Sequence, residues 1–112
     1  MTDRELLGWA AKAVGYWVVE PLRYGEFRVC LPEQHHLSFG WNPLTDDGDA
    51  LRLAVDLRLQ ISHFDRWADN AAVVQAADLD AAVCEEEVFN DPYAATRRAI
   101  VKAAAEIGRS MT

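Results

Sequence analysis

The first segment of the chain places apolar residues at helical spacing. They recur every three or four positions, which puts them on one face of a helix. The residues on that face are Leu6, Leu7, Ala10, Ala11 and Val14. Thr2 and Glu5 fit the S/T-x-x-E capping box, in which each side chain accepts a hydrogen bond from the other residue's backbone amide. With Gly15 as a suitable C-terminal cap, the pattern predicts a helix over residues 3–14.

Six segments have the composition or the alternation of a β-strand, and they fall into two groups of three. The first group contains residues 16–20, 27–31 and 37–41, in which aromatic and β-branched residues are frequent or alternate with polar ones. The second group contains residues 59–64, 71–77 and 81–89. The segment 71–77 is rich in alanine, which favours helix over strand. Short consecutive strands joined by turns favour antiparallel pairing.

Between these groups, the stretch SFGWNPLTDDGDALRLAVDLRL changes from strand spacing to helical spacing. Asp46 or Asp47 is predicted to cap a helix of about three turns, with carboxylates near the positive end of its dipole. The apolar residues are Ala50, Leu51, Leu53, Ala54, Val55 and Leu57. A calcium loop is disfavoured: Gly48 is third from Asp46 and Leu57 is twelfth, where an EF-hand needs Gly sixth and Glu twelfth. The stretch is therefore predicted to start a helix, with any binding site elsewhere.

A third helical segment closes the chain. Asn90 or Asp91 is predicted to cap it, with Pro92 at the first position, where its missing N–H breaks no helical hydrogen bond. The side predicted to be buried contains Tyr93, Ile100, Ala104, Ile107 and Met111. The order of elements is α-β-β-β-α-β-β-β-α. The 112 residues are expected to form one α+β domain, 1–112, with a mainly antiparallel sheet layered with three helices.

Charge and cysteine usage narrow the class of protein. Eighteen acidic and eleven basic residues give a net charge of −7, which disfavours direct binding to nucleic acid. No apolar run approaches the ~20 residues that span a bilayer, and the acidic, amphipathic N-terminus differs from a signal peptide. A cytoplasmic location is expected, in which Cys30 and Cys84 are reduced thiols. No cofactor is expected, since phosphate-binding loops and Cys/His ligand spacings are absent from the sequence.

The one run of like charges is Glu85, Glu86 and Glu87. In a strand, Glu86 points to the opposite face from its two neighbours. The favoured interpretation is an edge strand, where charge prevents pairing with another sheet. The alternative is an acidic patch that contacts a basic surface of a partner. These three glutamates are the best interaction candidates in the sequence.

The three histidines give little support for a metal or catalytic site. His35 and His36 are adjacent and would point to opposite faces of a strand, so they do not chelate one ion together. His63 is in register with Leu59 and Ile61, which predicts a hydrogen-bonded core histidine. The sequence also contains no nucleophile elbow. A small metal-dependent or histidine-based enzyme remains the alternative to a binding protein.

Two segments carry a family resemblance. WNPLTDDGDALRLAV, residues 41–55, and DPYAATRRAIVKAAAEIGR, residues 91–109, resemble the phage ABA sandwich domain family, and LLGWAAKAVGY resembles its opening helix. The family consists of small proteins of temperate phages and prophages of Gram-negative bacteria. The resemblance implies helices and a sheet in layers and an origin in a phage or prophage.

The expected function follows from these observations together. A small acidic chain without a catalytic motif is expected to be a non-enzymatic accessory protein that binds a host or phage protein in the bacterial cytoplasm. An inhibitor of a host defence system is one version of this hypothesis. Self-association, for instance as a homodimer, is a third possibility beside partner binding and catalysis.

Overall fold

Helices and strands follow each other in the predicted order. The computed structural model describes residues 1–19, 26–34, 36–65, 72–78, 83–88 and 90–111. The helices are α1 (Asp3–Ala13), α2 (Asp47–Asp56) and α3 (Pro92–Ser110). The strands are β1 (Trp17–Val18), β2 (Arg28–Cys30), β3 (Phe39–Gly40), β4 (Gln60–Asp65), β5 (Ala72–Ala77) and β6 (Val83–Glu87), with a short 3-10 helix at Pro32–Gln34. The α+β class is confirmed.

The six strands pair within each half of the chain and form two antiparallel sheets. The first has the order β1-β2-β3 and the second β4-β5-β6. In the second sheet all six residues of β4 pair with β5, from Gln60 opposite Ala77 to Asp65 opposite Ala72. The prediction of antiparallel strands is confirmed, and the alanine-rich segment is a strand. Residues 20, 71, 81, 82 and 89 of the predicted strands lie outside the described residues.

Side chains cap all three helices as the sequence predicts. The Thr2 hydroxyl accepts a hydrogen bond from the Glu5 amide at 3.2 Å, and both halves of the capping box are present. The Asp46 carboxylate accepts from the Asp49 amide at 2.8 Å. Asp91 accepts from two amides of the first turn of α3, each at 3.0 Å. These short-range bonds fix where each helix begins.

Helix α3 lies at the centre of the core. It packs against α1, α2, β5 and β6, and its buried residues are Ala99, Ile100, Val101, Ala103, Ala104, Ala105 and Gly108. Most of these are small, as are Ala10 and Ala11 on the facing side of α1. A Cβ atom added at Gly108 would overlap the carbonyl oxygen of Trp9 and lie 2.8 Å from its carbonyl carbon. The two helices therefore touch backbone to backbone.

Several apolar residues predicted to be buried are exposed. Tyr93 is 70% exposed and Met111 is 45% exposed, because the buried face of α3 runs from Ala99 to Gly108 and both residues lie beyond it. On α2, Leu51 and Val55 are each 65% exposed. Helix α2 buries only the narrow face formed by Ala50, Leu53 and Ala54. The apolar spacing predicted the helices correctly but overestimated their buried width.

The close contact at Gly108 predicts opposite effects of one substitution at two helical glycines. Gly108→Ala should lower the free energy of unfolding by roughly 1–2 kcal/mol, because the methyl group meets main-chain atoms that have little room to move. Gly8→Ala should raise it by roughly 0.5–1 kcal/mol, through the higher helix propensity of alanine alone, since nothing lies within 4 Å of an added Cβ there. Urea unfolding monitored by circular dichroism measures both. Equal effects would contradict the close packing.

Candidate functional site

The three glutamates lie on β6, at one edge of the second sheet, as predicted. Glu86 faces α3, with its side chain 21% exposed. Its carboxylate accepts a hydrogen bond from the Lys102 ammonium at 2.9 Å and lies 3.5 Å from Nε of Arg98. Arg98 also pairs with Asp3 at 3.1 Å. Glu86 is therefore part of an ion-pair network that joins β6 to α3 and α1.

Glu85 and Glu87 point to the other face of the sheet. Glu85 lies opposite Gln75 in the strand register and accepts a hydrogen bond from its side-chain amide at 3.4 Å. The run is thus divided between two faces, and one of its three charges is neutralised by α3. The sequence places all three residues correctly on an edge strand. It does not reveal the cations that α3 brings to Glu86, because these lie 12 and 16 positions further along the chain.

The prediction of a core position for His63 is wrong, since the residue is exposed. Its Nε2 lies 2.9 Å from the hydroxyl of Thr96. The Thr96 hydroxyl donates its proton to the carbonyl of Pro92 at 2.7 Å, so Nε2 of His63 donates to Thr96. His63 does lie on the face of β4 that is turned to α3. It remains accessible because it sits beside the first turns of α3, which precede that helix's buried section.

The described residues offer no metal site. Among them, no group of three His, Cys, Asp or Glu side chains is placed to hold an ion. His36 is exposed, and His35 lies outside the described residues.

Cys30 and Cys84 are free thiols. The pKa of the Cys84 thiol is raised, chiefly by burial and further by Glu106 and Glu86, while Lys102 opposes the shift. A thiol with a raised pKa is a poor nucleophile at neutral pH.

An apolar groove of about 470 Å³ lies between α2, α3 and β4. We call it the α2–β4 groove. Its floor is α3, one wall is α2 and the other is β4. Its main lining residues are Leu51, Ala54, Ile61, His63, Tyr93 and Ile100. Leu51 and Tyr93 are the most exposed large apolar side chains in this set, so the groove is open to solvent.

One ion pair fixes the polar end of the α2–β4 groove. The Arg97 guanidinium donates to the carbonyl of Leu44 at 2.9 Å and to the Asp47 carboxylate at 2.6 Å. The Arg97 side chain is 17% exposed, so its charge is largely used within the protein. The bonds tie the start of α2 to α3. They hold the helical wall in place, and the remaining lining is apolar except for His63 and Thr96.

The strand wall of the groove is a sheet edge. β4 is the first strand in the order β4-β5-β6, so β5 pairs with one side of it only. Alternate residues of a strand direct their N–H and C=O groups to opposite sides. Charged side chains and proline commonly protect an edge, and β4 contains no lysine or proline and only one charged residue, Asp65, at its C-terminal end. Within the described ranges, no strand pairs with this side. The contrast with the acidic β6 is the sequence signal that could have identified it.

The ion-pair network around Glu86 predicts a difference between neighbouring glutamates. Glu86→Gln should lower the free energy of unfolding by roughly 1 kcal/mol, because it weakens half-buried bonds to Lys102 and Arg98. Glu85→Gln, on the opposite face, should change it by less than about 0.5 kcal/mol. Chemical denaturation at neutral pH measures both variants. A larger loss for Glu85→Gln would show that the outer face carries the stability.

Comparisons with known proteins add no relative. No protein-family model, no curated protein and no solved structure matches the chain. The resemblance to the phage ABA sandwich domain family thus rests on the segments quoted above. In the part of the chain that the structure describes, no helix is long and apolar enough to cross a bilayer.

Proposed function

We propose that the chain is a non-enzymatic protein-binding protein, and that its α2–β4 groove receives an extended segment of a partner protein. The observation that carries the proposal is the construction of the groove. One wall is the free edge of β4, and the other is the apolar side of α2. An extended segment can pair its backbone with a strand edge and place alternate side chains in the adjoining groove.

The dimensions of the groove support an extended occupant. β4 has six residues, Gln60–Asp65, of which alternate ones direct backbone groups away from β5. An added strand would project every second side chain towards the α3 floor. There it would meet Ile61 from the strand wall and Leu51 from the helical wall. Covering Leu51 and Tyr93 would remove from water two of the most exposed large apolar side chains.

Charge supports a basic partner. The chain carries a net charge of −7, which attracts basic proteins and accelerates encounter with them. Asp47, at the rim of the groove, has its side chain 75% exposed although it pairs with Arg97. The preferred occupant is therefore an extended segment with alternating apolar residues and flanking lysine or arginine. The family resemblance supports a partner met in the bacterial cytoplasm during the life of a phage or prophage, and an inhibitor of host defence is one such role.

Leu51 and Val55 provide a matched test, since both are 65% exposed on α2 and only Leu51 lines the groove. Random linear peptides displayed on yeast are selected on the purified chain, and dissociation constants are measured for the enriched sequences. We expect apolar residues at every second position. Leu51→Ser should weaken binding by about tenfold, as expected for a central anchor, and Val55→Ser by less than about twofold.

Two further measurements distinguish strand addition from other ways in which a peptide could bind the groove. Methylating alternate backbone nitrogens of a selected peptide should abolish binding in one of the two alternating sets and spare the other. Double substitution of Glu85 and Glu87 to glutamine should leave affinity nearly unchanged, because both point away from α3. Enriched peptides with helical spacing, or none, would contradict the proposal. Self-association that Leu51→Ser abolishes would assign the groove to a second copy of the chain instead.

A further inference from the structure

A second cavity, of about 220 Å³, lies on the other side of α2. Four residues of α2 line it, at positions 49, 52, 53 and 56, whereas the α2–β4 groove is lined by positions 47, 50, 51 and 54. At 3.6 residues per turn these two sets lie on opposite faces of the helix. The remaining lining residues are Val14, Tyr16, Phe39, Gly40 and Trp41. The cavity is therefore independent of the proposed protein-binding groove.

Three aromatic rings form a corner of this cavity. The Tyr16 and Phe39 ring centroids are 5.6 Å apart with the planes at 86°, and the Tyr16 and Trp41 centroids are 5.7 Å apart at 84°. Phe39 and Trp41 are two positions apart along the extended chain, so they lie on the same face. Phe39 is the exposed ring of the three, at 39%, and an exposed ring face attracts cations through its quadrupole.

The charged groups of the cavity add a net negative charge. Two carboxylates, Asp49 and Asp56, and one guanidinium, Arg52, line it, which gives −1 in sum. Asp49 is already engaged, since it accepts hydrogen bonds from Arg52 at 2.8 Å and from the Asn42 amide at 3.0 Å. Among the described residues, no side chain forms an ion pair with Asp56. One carboxylate at the cavity is thus available to a ligand.

The charged groups of the cavity also affect the phenol of Tyr16. Its pKa is raised above the ordinary value, first by burial, then by the Asp56 carboxylate and to a lesser extent by Asp49, while Arg52 opposes the shift. Neighbouring anions raise the pKa of a phenol because they disfavour a further negative charge. The same negative potential that disfavours phenolate favours a bound cation.

We propose that this cavity binds the head of a small alkylated ammonium cation, such as a trimethylammonium group. Such a cation is weakly hydrated and fits an aromatic corner, with Phe39 and Tyr16 against its methyl groups. Trp41, which is 5% exposed, lies behind these two rings. Asp56 supplies the balancing charge. An anion would be repelled, and a neutral ligand would lack the charge–charge attraction to the carboxylate. A free quaternary amine and a trimethylated lysine side chain share this chemistry.

The experiment is a titration of the purified chain with choline, followed by two-dimensional amide and indole NMR at constant ionic strength. Saturable shifts should centre on the Trp41 indole and on amides of the cavity. The neutral isostere 3,3-dimethylbutanol should bind at least about tenfold more weakly. A peptide with trimethylated lysine, titrated in the same way, tells whether the ligand is a free amine or a modified protein side chain, according to which binds more tightly.

Variants test the two elements of the site separately. Asp56→Asn should weaken choline binding roughly threefold, as expected for a partly exposed ion pair, and Phe39→Leu by a similar factor through loss of a ring face. Glu85→Gln removes a charge from the outer face of the second sheet, outside the cavity, and should leave affinity nearly unchanged. The proposal is overturned if 3,3-dimethylbutanol binds as well as choline, if Glu85→Gln and Asp56→Asn act equally, or if choline causes no saturable shift.

Discussion

The direct contact between the backbones of α1 and α3 sets the distance between these two helices, on which the rest of the fold depends. Without a side chain at Gly108, the carbonyl of Trp9 can touch α3, and the alanines beside it keep the two helices close over several turns. Close packing of this kind gains dispersion contacts but leaves no room for adjustment. Because α3 is held against α1, its remaining faces are free to carry α2 and the second sheet. A change in this contact is therefore transmitted to α2 and to the second sheet, which both pack on α3.

Helix α2 is attached to this centre by a narrow face, and that explains both cavities. Ala50, Leu53 and Ala54 are its buried residues, and Arg97 ties its start to α3. A helix bound by so narrow a face leaves both flanks open to solvent. One flank faces β4 and forms the apolar groove, and the other faces the aromatic residues after α1 and on β3. The chemistry of each cavity then follows from which residues of α2 point that way.

Local features of the fold could be predicted from sequence because they depend on residues close together in the chain. The caps at Thr2, Asp46 and Asp91 each bond an amide two or three positions away. Strand alternation predicted the strands but not their burial, since His63 is exposed. The exposure of Leu51 and Tyr93 could not be predicted in the same way. It depends on how widely α3 covers its neighbours, and helical spacing alone does not encode that width. The division into two sheets likewise depends on long-range packing.

Most of the carboxylates before and within α2 have a structural role, and Asp56 is the exception. Asp46 caps the helix and Asp47 pairs with Arg97, so both serve the fold. Asp49 bonds Arg52 and the Asn42 amide. Asp56 lies at the C-terminal end of α2, where a carboxylate is disfavoured by the helix dipole. Asp56 therefore does not stabilise α2 through the helix dipole, and this supports the proposal that it balances the charge of a bound cation. The prediction that this stretch starts a helix is confirmed, since α2 begins at Asp47 with Asp46 as its cap.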